Sequence, residues 1–267
     1  MTVSLGPKAA DPQSAGLQAA DPQTAGPSED PHALAMYDYL HGLFQPPFRY
    51  LRDDGVATED PIERRFEPPE RFRDYERRAF EKAAGRTLDI GCGAGKHLWP
   101  LQRAGIEAHG IDISPLAVRI CRDRGLTDVS VMDAMELDYP GGHFDSILLF
   151  SNGLAMGGTP AGVERLLTEC HRVSAPGGRI LLTNTDVSRT EDPRNIAYQR
   201  ANRERGDLPG RVRLRSWYRD QVSEEFDWLF MSPEELTAAA RATGWRVAEV
   251  DGTPWGGYAA VLERLPH

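Results

Sequence analysis

From Thr87 onward, short apolar runs bounded by glycine, proline and acidic residues alternate with stretches whose apolar residues recur at helical spacing. The runs Thr87–Ile90, Glu107–Asp112, Asp128–Met132, Phe144–Phe150 and Gly178–Asn184 read as strands. Between and after them, Ser114-Pro115 opens a helix, the stretch from Pro160 to Val173 makes another, and Ser232-Pro233-Glu234-Glu235 opens a third with the spacing of a capping box. Such alternation predicts βαβ units and a parallel sheet covered by helices on both faces. Near the end, Trp245–Val250 and Tyr258–Glu263 flank the short Asp251–Gly257 link. These two strands must be antiparallel, because a parallel return needs a crossover of a dozen or more residues.

Before Thr87 the pattern differs. Asp30-Pro31 reads as an N-cap followed by proline at the first helical position, with Leu34, Tyr37, Leu40 and Leu43 recurring at helical spacing. Pro46, Pro47, Pro61, Pro68 and Pro69 mark an irregular stretch, and a further helix is expected over 69–84, ending near Gly85. Residues 1–29 hold an imperfect repeat, Ala10-Asp11-Pro12-Gln13-Ser14-Ala15-Gly16 and Ala20-Asp21-Pro22-Gln23-Thr24-Ala25-Gly26, with few apolar groups to offset the entropy of ordering. The expected organisation is a disordered tail over 1–29, an N-terminal helical lid over 30–84 and a main domain over 85–267, with an insertion at 186–231.

Composition narrows the class. Hydrophobic residues make up 40% and charged residues 27%, as in ordinary globular chains. The net charge of −9 repels a polyanion, so no nucleic-acid partner is expected. No stretch approaches the length of a membrane span and the N-terminus lacks signal-peptide order, which predicts a cytoplasmic protein without a membrane partner. Cys92, Cys121 and Cys170 stand apart without a CxxC pair, so neither a disulfide framework nor a metal site is expected.

Residues 88–97, Leu-Asp-Ile-Gly-Cys-Gly-Ala-Gly-Lys-His, place a glycine-rich turn directly after a strand and before a helix. That is the sheet edge where open α/β folds bind ligands. A dinucleotide fingerprint requires G-x-G-x-x-G, whereas Gly91, Gly93 and Gly95 give G-x-G-x-G with Lys96 next. An NAD-dependent oxidoreductase is therefore the weaker reading. Asp112 ends the next strand, where a ribose diol needs a carboxylate. Asp133-Ala134 follows the third strand, with a carboxylate able to accept from an adenine amino group, and Ser151-Asn152 forms a small polar loop after the fourth.

Asp89-x-Gly91-x-Gly93-x-Gly95, Asp112, Asp133-Ala134, Phe144-Asp145 and Pro176-Gly177-Gly178-Arg179 together resemble the motif series of the class I S-adenosylmethionine (SAM)-dependent methyltransferases, over roughly residues 85–185. The resemblance implies a doubly wound α/β fold with a seven-stranded, mostly parallel sheet whose last strand is antiparallel. It implies SAM as cofactor and S-adenosylhomocysteine as product. Asp89 and the three glycines, with Cys92 and His97, would surround the methionine part. Asp112 would take the ribose hydroxyls and Asp133 with Ala134 the adenine, and Ile113, Ser151 and Asn152 would complete the cofactor site. His97 could instead act as a base, or be a packed first-turn residue. Methyl transfer to an oxygen, nitrogen or carbon nucleophile of a small molecule or short peptide follows, with a catalytically silent SAM-binding or partner-binding module as the non-enzymatic alternative.

On the acceptor side, Arg211, Arg213 and Arg215 alternate along a possible strand and share one face. They read either as a solvated face or as a clamp for a carboxylate or phosphate, which guanidinium pairs bidentately. Trp217 and Tyr218 are candidates for a substrate wall, and Tyr37 and Asn152 are expected to reach the same chamber. The oligomeric state is left open by these patterns.

Overall fold

The computed structural model describes residues 30–266. The disordered tail expected over 1–29 lies outside the described residues. In chain order the elements are α1 (Pro31–Leu40), β1 (Phe48–Arg52), β2 (Ala57–Glu59), α2 (Asp74–Phe80), β3 (Thr87–Ile90), α3 (Leu98–Arg103), β4 (Ala108–Asp112), α4 (Pro115–Asp123), β5 (Val129–Val131), β6 (Phe144–Leu149), α5 (Pro160–Val173), β7 (Ser174–Thr185), α6 (Pro193–Glu204), β8 (Arg211–Tyr218), β9 (Gln221–Val222), β10 (Phe226–Leu229), α7 (Pro233–Ala242), β11 (Trp245–Gly252) and β12 (Gly257–Arg264).

Seven strands form one sheet in the order β11-β12-β7-β6-β3-β4-β5. The pairs β3–β4, β3–β6, β4–β5 and β6–β7 are parallel, and β12 runs antiparallel to both β7 and β11. One face of the sheet packs Ile147, Leu149, Ile180 and Leu182 against Val163, Leu166 and Leu167 of α5 and Leu236 and Ala240 of α7. The other face packs Leu148 and Leu181 against Tyr75 of α2, Leu98 of α3 and Val118 of α4. Period-two alternation along the strands divides the two cores. Caps set the helix starts: Ser114 accepts from Ala117 N–H, Thr159 from Gly162 N–H, and Ser232 with Glu235 forms the expected capping box.

The N-terminal segment and the insertion meet in a second sheet, β10-β8-β1-β2, with β9 on β8. Phe48–Arg52 pairs antiparallel with Tyr218–Leu214. The segment expected to be helical thus contains two strands as well as α1, because the strand partner lies 162 to 170 residues away, where local periodicity cannot register it. The helix expected over 69–84 is α-helical only from Asp74 to Phe80, preceded by a 3-10 turn at Pro69–Arg71. Pro68 and Pro69 lack donors and restrict the residues before them, which delays the helix.

Helix α1 buries Ala33, Ala35 and Met36, while Leu43 falls outside it and is 57% exposed. Small side chains let α1 lie close against Leu116, Ala117 and Ile120 of α4 and against Ala94 of the glycine turn. Among the described residues, no helix is long and apolar enough to cross a membrane.

Candidate active site

The turn from Gly91 to His97 leaves β3 and enters α3 at the carboxyl edge of the sheet. Gly91, Gly93 and Gly95 adopt φ of 68°, 54° and 76°, the left-handed region that disfavours a side chain. A Cβ at Gly95 would also stand 2.4 Å from Leu126 Cδ1, and one at Gly91 2.9 Å from Met156 Cε. Glycine is needed here for both conformation and space.

Two carboxylates frame the turn. Asp112 accepts from Gly93 N–H through Oδ2 and from Ser114 N–H through Oδ1, both at 2.9 Å. Burial raises its pKa, against the pull of these backbone donors. Asp89 is buried, and its Oδ2 has no hydrogen-bond partner among the described residues. Burial, and then the Asp112 charge, raise the Asp89 pKa to about 8. A buried carboxyl with an unused acceptor suits a cationic ligand group. Beyond Asp112, Ile113 is 71% exposed, an apolar platform at the edge. Asp133 is exposed with Oδ1 taking Met135 N–H at 2.8 Å, and Ala134 is half-buried beside it.

At the end of β6, Ser151 and Asn152 both have left-handed backbone, φ 54° and 63°. Two consecutive non-glycine residues in this region store strain that surrounding contacts must hold. Ser151 N–H donates to Thr183 Oγ1 at 2.8 Å and Thr185 Oγ1 donates to Asn152 Oδ1 at 3.1 Å, which fixes the loop to the end of β7.

His97 stands away from this arrangement. It is buried, stacked on Phe150 with ring centroids 4.5 Å apart and flanked by Phe72 and Phe80. Its Nε2 lies 2.9 Å from Glu76 Oε1, and Lys96 Nζ reaches the same oxygen at 2.7 Å. Burial lowers the His97 pKa, outweighing the Glu76 carboxylate, so the ring is neutral and donates its Nε2 proton to Glu76. Burial opposes ionisation of Glu76, yet the His97 hydrogen bond and the Lys96 charge prevail and hold its carboxyl below the usual range. Of the readings open for His97, the geometry matches the packed first-turn residue: the side chain anchors α3 to α2. Cys92 is likewise packed, with Sγ 3.9 Å from that of Cys121, and its thiol is pushed up by the Cys121 contact and by burial.

The expected acceptor-side residues do not converge. Tyr218 is fully buried, stacked on Phe44 and donating to Asp38 Oδ2 at 2.9 Å, so it is core and not a pocket wall. Trp217 lies on the opposite face of β8, with Nε1–H donating to Arg219 O. Arg211 pairs with Asp207 and Asp227, Arg213 with Asp53 and Asp227, and Arg215 with Glu225. Each guanidinium of the arginine row already has a carboxylate. Tyr37 OH accepts from Arg119 at 3.2 Å, on the α4 side of α1.

Sequence reasoning missed Glu76, whose role depends on a fold contact between α2 and α3. It also missed Asp30, whose charge raises the Asp112 pKa and whose Oδ1 accepts from Ser216 Oγ at 3.0 Å. A third omission is Asn184, buried at the end of β7 with Nδ2 unpartnered among the described residues. Its signal was available: a polar residue closing an apolar strand at the ligand edge.

Residues 87–178 match a family described as a methyltransferase domain. The chain is 30% identical over 164 residues to methyltransferase GfsG of Streptomyces halstedii, covering 58% of this chain and 56% of that protein. It is 28% identical over 200 residues to the ubiquinone biosynthesis O-methyltransferase of Xanthomonas oryzae pv. oryzae, covering 72% and 76%. A SAM-dependent methyltransferase from Bacteroides fragilis, solved in complex with S-adenosyl-L-homocysteine, is similar with a TM-score of 0.75 and 28% identity over 89% of this chain and 96% of that one. The chain spans about half the length of the first curated relatives it matches.

Proposed function

Because the chain belongs to the class I SAM-dependent methyltransferases, we propose that it is an enzyme transferring the methyl group of SAM to a nucleophilic atom of a small molecule. The observation that carries this reading is the pairing of Asp89, with its unused buried oxygen, and Asp112, locked to the glycine turn through Gly93 N–H. Asp89 would hold the ammonium of the cofactor. Asp112 keeps lone pairs beyond its two backbone donors and would accept from the ribose hydroxyls. Ile113 offers its exposed side chain to the adenine face, and Asp133 its carboxylate to the adenine amino group, with Ala134 alongside. Ser151 and Asn152 would close the site on the methyl side.

When bound, SAM supplies a methyl carbon made electrophilic by its sulfonium. The chain's own part is alignment: the glycine turn, Asp112 and the strained Ser151-Asn152 loop are fixed by hydrogen bonds before any ligand arrives, and Asp89 is held by burial. Holding two reactants in attack geometry supplies several kcal/mol of barrier lowering on its own, so no base need be assigned. A small-molecule acceptor is supported by the relatives, an O-methyltransferase of ubiquinone biosynthesis among them. A net charge of −9 argues against a polyanionic acceptor.

Calorimetry with SAM, S-adenosylhomocysteine and NAD tests the reading, followed by incubation with methyl-labelled SAM and mass spectrometry of labelled small molecules. Binding of both sulfur ligands but not NAD is expected. Heat with NAD alone would overturn it.

A further inference from the structure

Helix α1 lies along α4 in a parallel register. Tyr37 OH accepts from Arg119 at 3.2 Å, and one turn on His41 Nε2 lies 3.6 Å from Asp123 Oδ2, so both contacts join residues 82 positions apart. Carried back to the two helix starts, this register sets Asp30, the N-cap of α1, beside Asp112, whose Oδ1 takes the N–H of Ser114, the N-cap of α4. Burial raises the Asp112 carboxyl first, and the Asp30 charge adds to it, as expected of two acids brought close.

Asp30 is exposed but held. Its Oδ1 accepts from His32 N–H at 3.2 Å and from Ser216 Oγ at 3.0 Å, and Ser216 is itself buried on β8, so the carboxylate is fixed between α1 and the small sheet. Its Oδ2 takes no hydrogen bond, and neither Asp30 nor Asp112 has a cationic partner, among the described residues. A third carboxyl faces the same space. Asp89 stands opposite Gly110 of β4, so by alternation it shares the face of Asp112, and it is 2% exposed with Oδ2 unpartnered among the described residues. Three acids without a cation call for a ligand that brings hydrogen-bond donors, and the unused buried oxygen of Asp89 calls for the same.

We infer that Asp30 is a second ribose ligand, accepting through Oδ2 from one of the two vicinal hydroxyls of the SAM ribose while Asp112 accepts from the other. A vicinal diol suits the pair: it offers one donor to each carboxylate, and repulsion between like charges is offset by two charge-assisted hydrogen bonds. A cofactor gripped from α1 as well as from β4 ties docking of the N-terminal segment to occupancy of the site. Docking of α1 and cofactor binding are then one equilibrium. The inference rests on the methyltransferase reading above, and adds to it a residue outside 87–178, the stretch that matches the family.

The test is calorimetry on the full chain with S-adenosylhomocysteine and its 2′-deoxy and 3′-deoxy analogues. Asp30→Ser keeps a good helix cap but is too short to reach the ribose. It should bind S-adenosylhomocysteine about tenfold more weakly than wild type, since a charge-assisted hydrogen bond is lost. Wild type should prefer S-adenosylhomocysteine to one of the two deoxy analogues by about tenfold more than Asp30→Ser does, while the preference over the other analogue is unchanged. Should that variant fail to fold, Asp30→Asn keeps both the cap and the acceptor for Ser216, and should show the same change at the same hydroxyl, smaller because only the charge is lost. Amide exchange in α1 should slow when S-adenosylhomocysteine binds wild type, and slow less in Asp30→Ser. Affinities for all three ligands that fall by one common factor make Asp30 a cap alone and overturn the inference, as does unchanged or tighter binding by the variants. Failure of wild type to bind S-adenosylhomocysteine overturns the methyltransferase reading instead, so the two failures are separate.

Discussion

Gly93 donates its backbone N–H to Asp112 Oδ2 at 2.9 Å, so the turn after β3 and the acidic end of β4 are one unit. The acid at the second strand end therefore shapes the turn, and in the proposed site it would also meet the ligand. Asp112→Ala should weaken SAM and S-adenosylhomocysteine binding by about 1.5–3 kcal/mol, since a charged acceptor and the anchor of the turn are both lost. Asp112→Asn retains one acceptor and should lose less. Calorimetry on the two variants decides it, and equal affinities for Asp112→Ala and wild type would remove Asp112 from the site.

Asp89 makes binding pH-dependent. The unfolded carboxyl ionises near its ordinary value of about 3.9, whereas in the fold burial and Asp112 move it to about 8. The folded state keeps a proton that the unfolded state has lost between these values. Its contribution to the unliganded protein's stability is thus full below about pH 4 and lost as pH rises through 8. A cationic ligand favours the ionised form, so binding of SAM should release a proton and tighten from pH 6 to 8. Calorimetric enthalpies that follow the ionisation heat of the buffer would display that proton. Asp89→Asn should abolish the dependence along with much of the affinity.

Behind the turn, Glu76 holds both Lys96 and His97, and the Lys96 side chain is only 11% exposed. Glu76→Gln leaves a buried ammonium with Glu67 as its remaining carboxylate at 3.9 Å, and should cost about 2–3 kcal/mol of stability in denaturant melts. His97→Phe keeps the stack on Phe150 and loses one hydrogen bond, about 1 kcal/mol. If His97 only anchors, the pH–rate profile of methyl transfer is the same in His97→Phe as in wild type. Loss of a limb of that profile would restore it as a base.

Much of this was legible in the chain. Strands β3, β4, β6 and β12 follow their apolar runs closely, because each is short, locally patterned and bounded by glycine or acid. The three glycines are readable because a turn that needs left-handed backbone admits little else, and Asp112 stands out as an acid closing a strand at that edge. The β1–β8 pairing was not legible, since Phe48 and Tyr218 meet only in the folded chain. His97 misled for a related reason: its position beside the turn suggests the ligand, while Glu76 and Phe150, from two other elements, draw it into the core. Asn184 was passed over because an asparagine ending a strand is common, and only its buried Nδ2, unpartnered among the described residues, marks it.

The arginine row, read from spacing as either a solvated face or a clamp, has its charges matched within the small sheet. Arg211 forks onto Asp227 through Nε and Nη2 and reaches Asp207 through Nη1, whereas the Arg215–Glu225 pair is longer and more exposed. Arg211→Ala should cost about 1–2 kcal/mol of stability, and Arg215→Ala less than about 0.5. Neither should alter S-adenosylhomocysteine affinity. Thermal melts with calorimetry check both, and a cofactor defect in Arg215→Ala would place the row at the ligand after all.

The glycines of the turn separate strain from crowding. At Gly91 a Cβ would meet Met156 Cε at 2.9 Å, the free end of a flexible half-buried side chain that can swing aside. At Gly95 it would meet Leu126 Cδ1 at 2.4 Å and Cys121 Sγ at 3.2 Å, both in buried side chains. Both substitutions incur the left-handed backbone cost of about 1–2 kcal/mol, but only Gly95→Ala adds overpacking, a further 1–3 kcal/mol or so. Gly95→Ala should therefore lower the melting temperature well below that of Gly91→Ala. Gly91→Ala, by contrast, puts its methyl beside Met156 and the ligand edge, so it should lose SAM affinity out of proportion to stability. In the background of Met156→Ala, which removes the contact but not the backbone strain, Gly91→Ala should cost as much stability as it does in wild type. Disappearance of that cost in the Met156→Ala background would mean that contact, not conformation, is what requires glycine there.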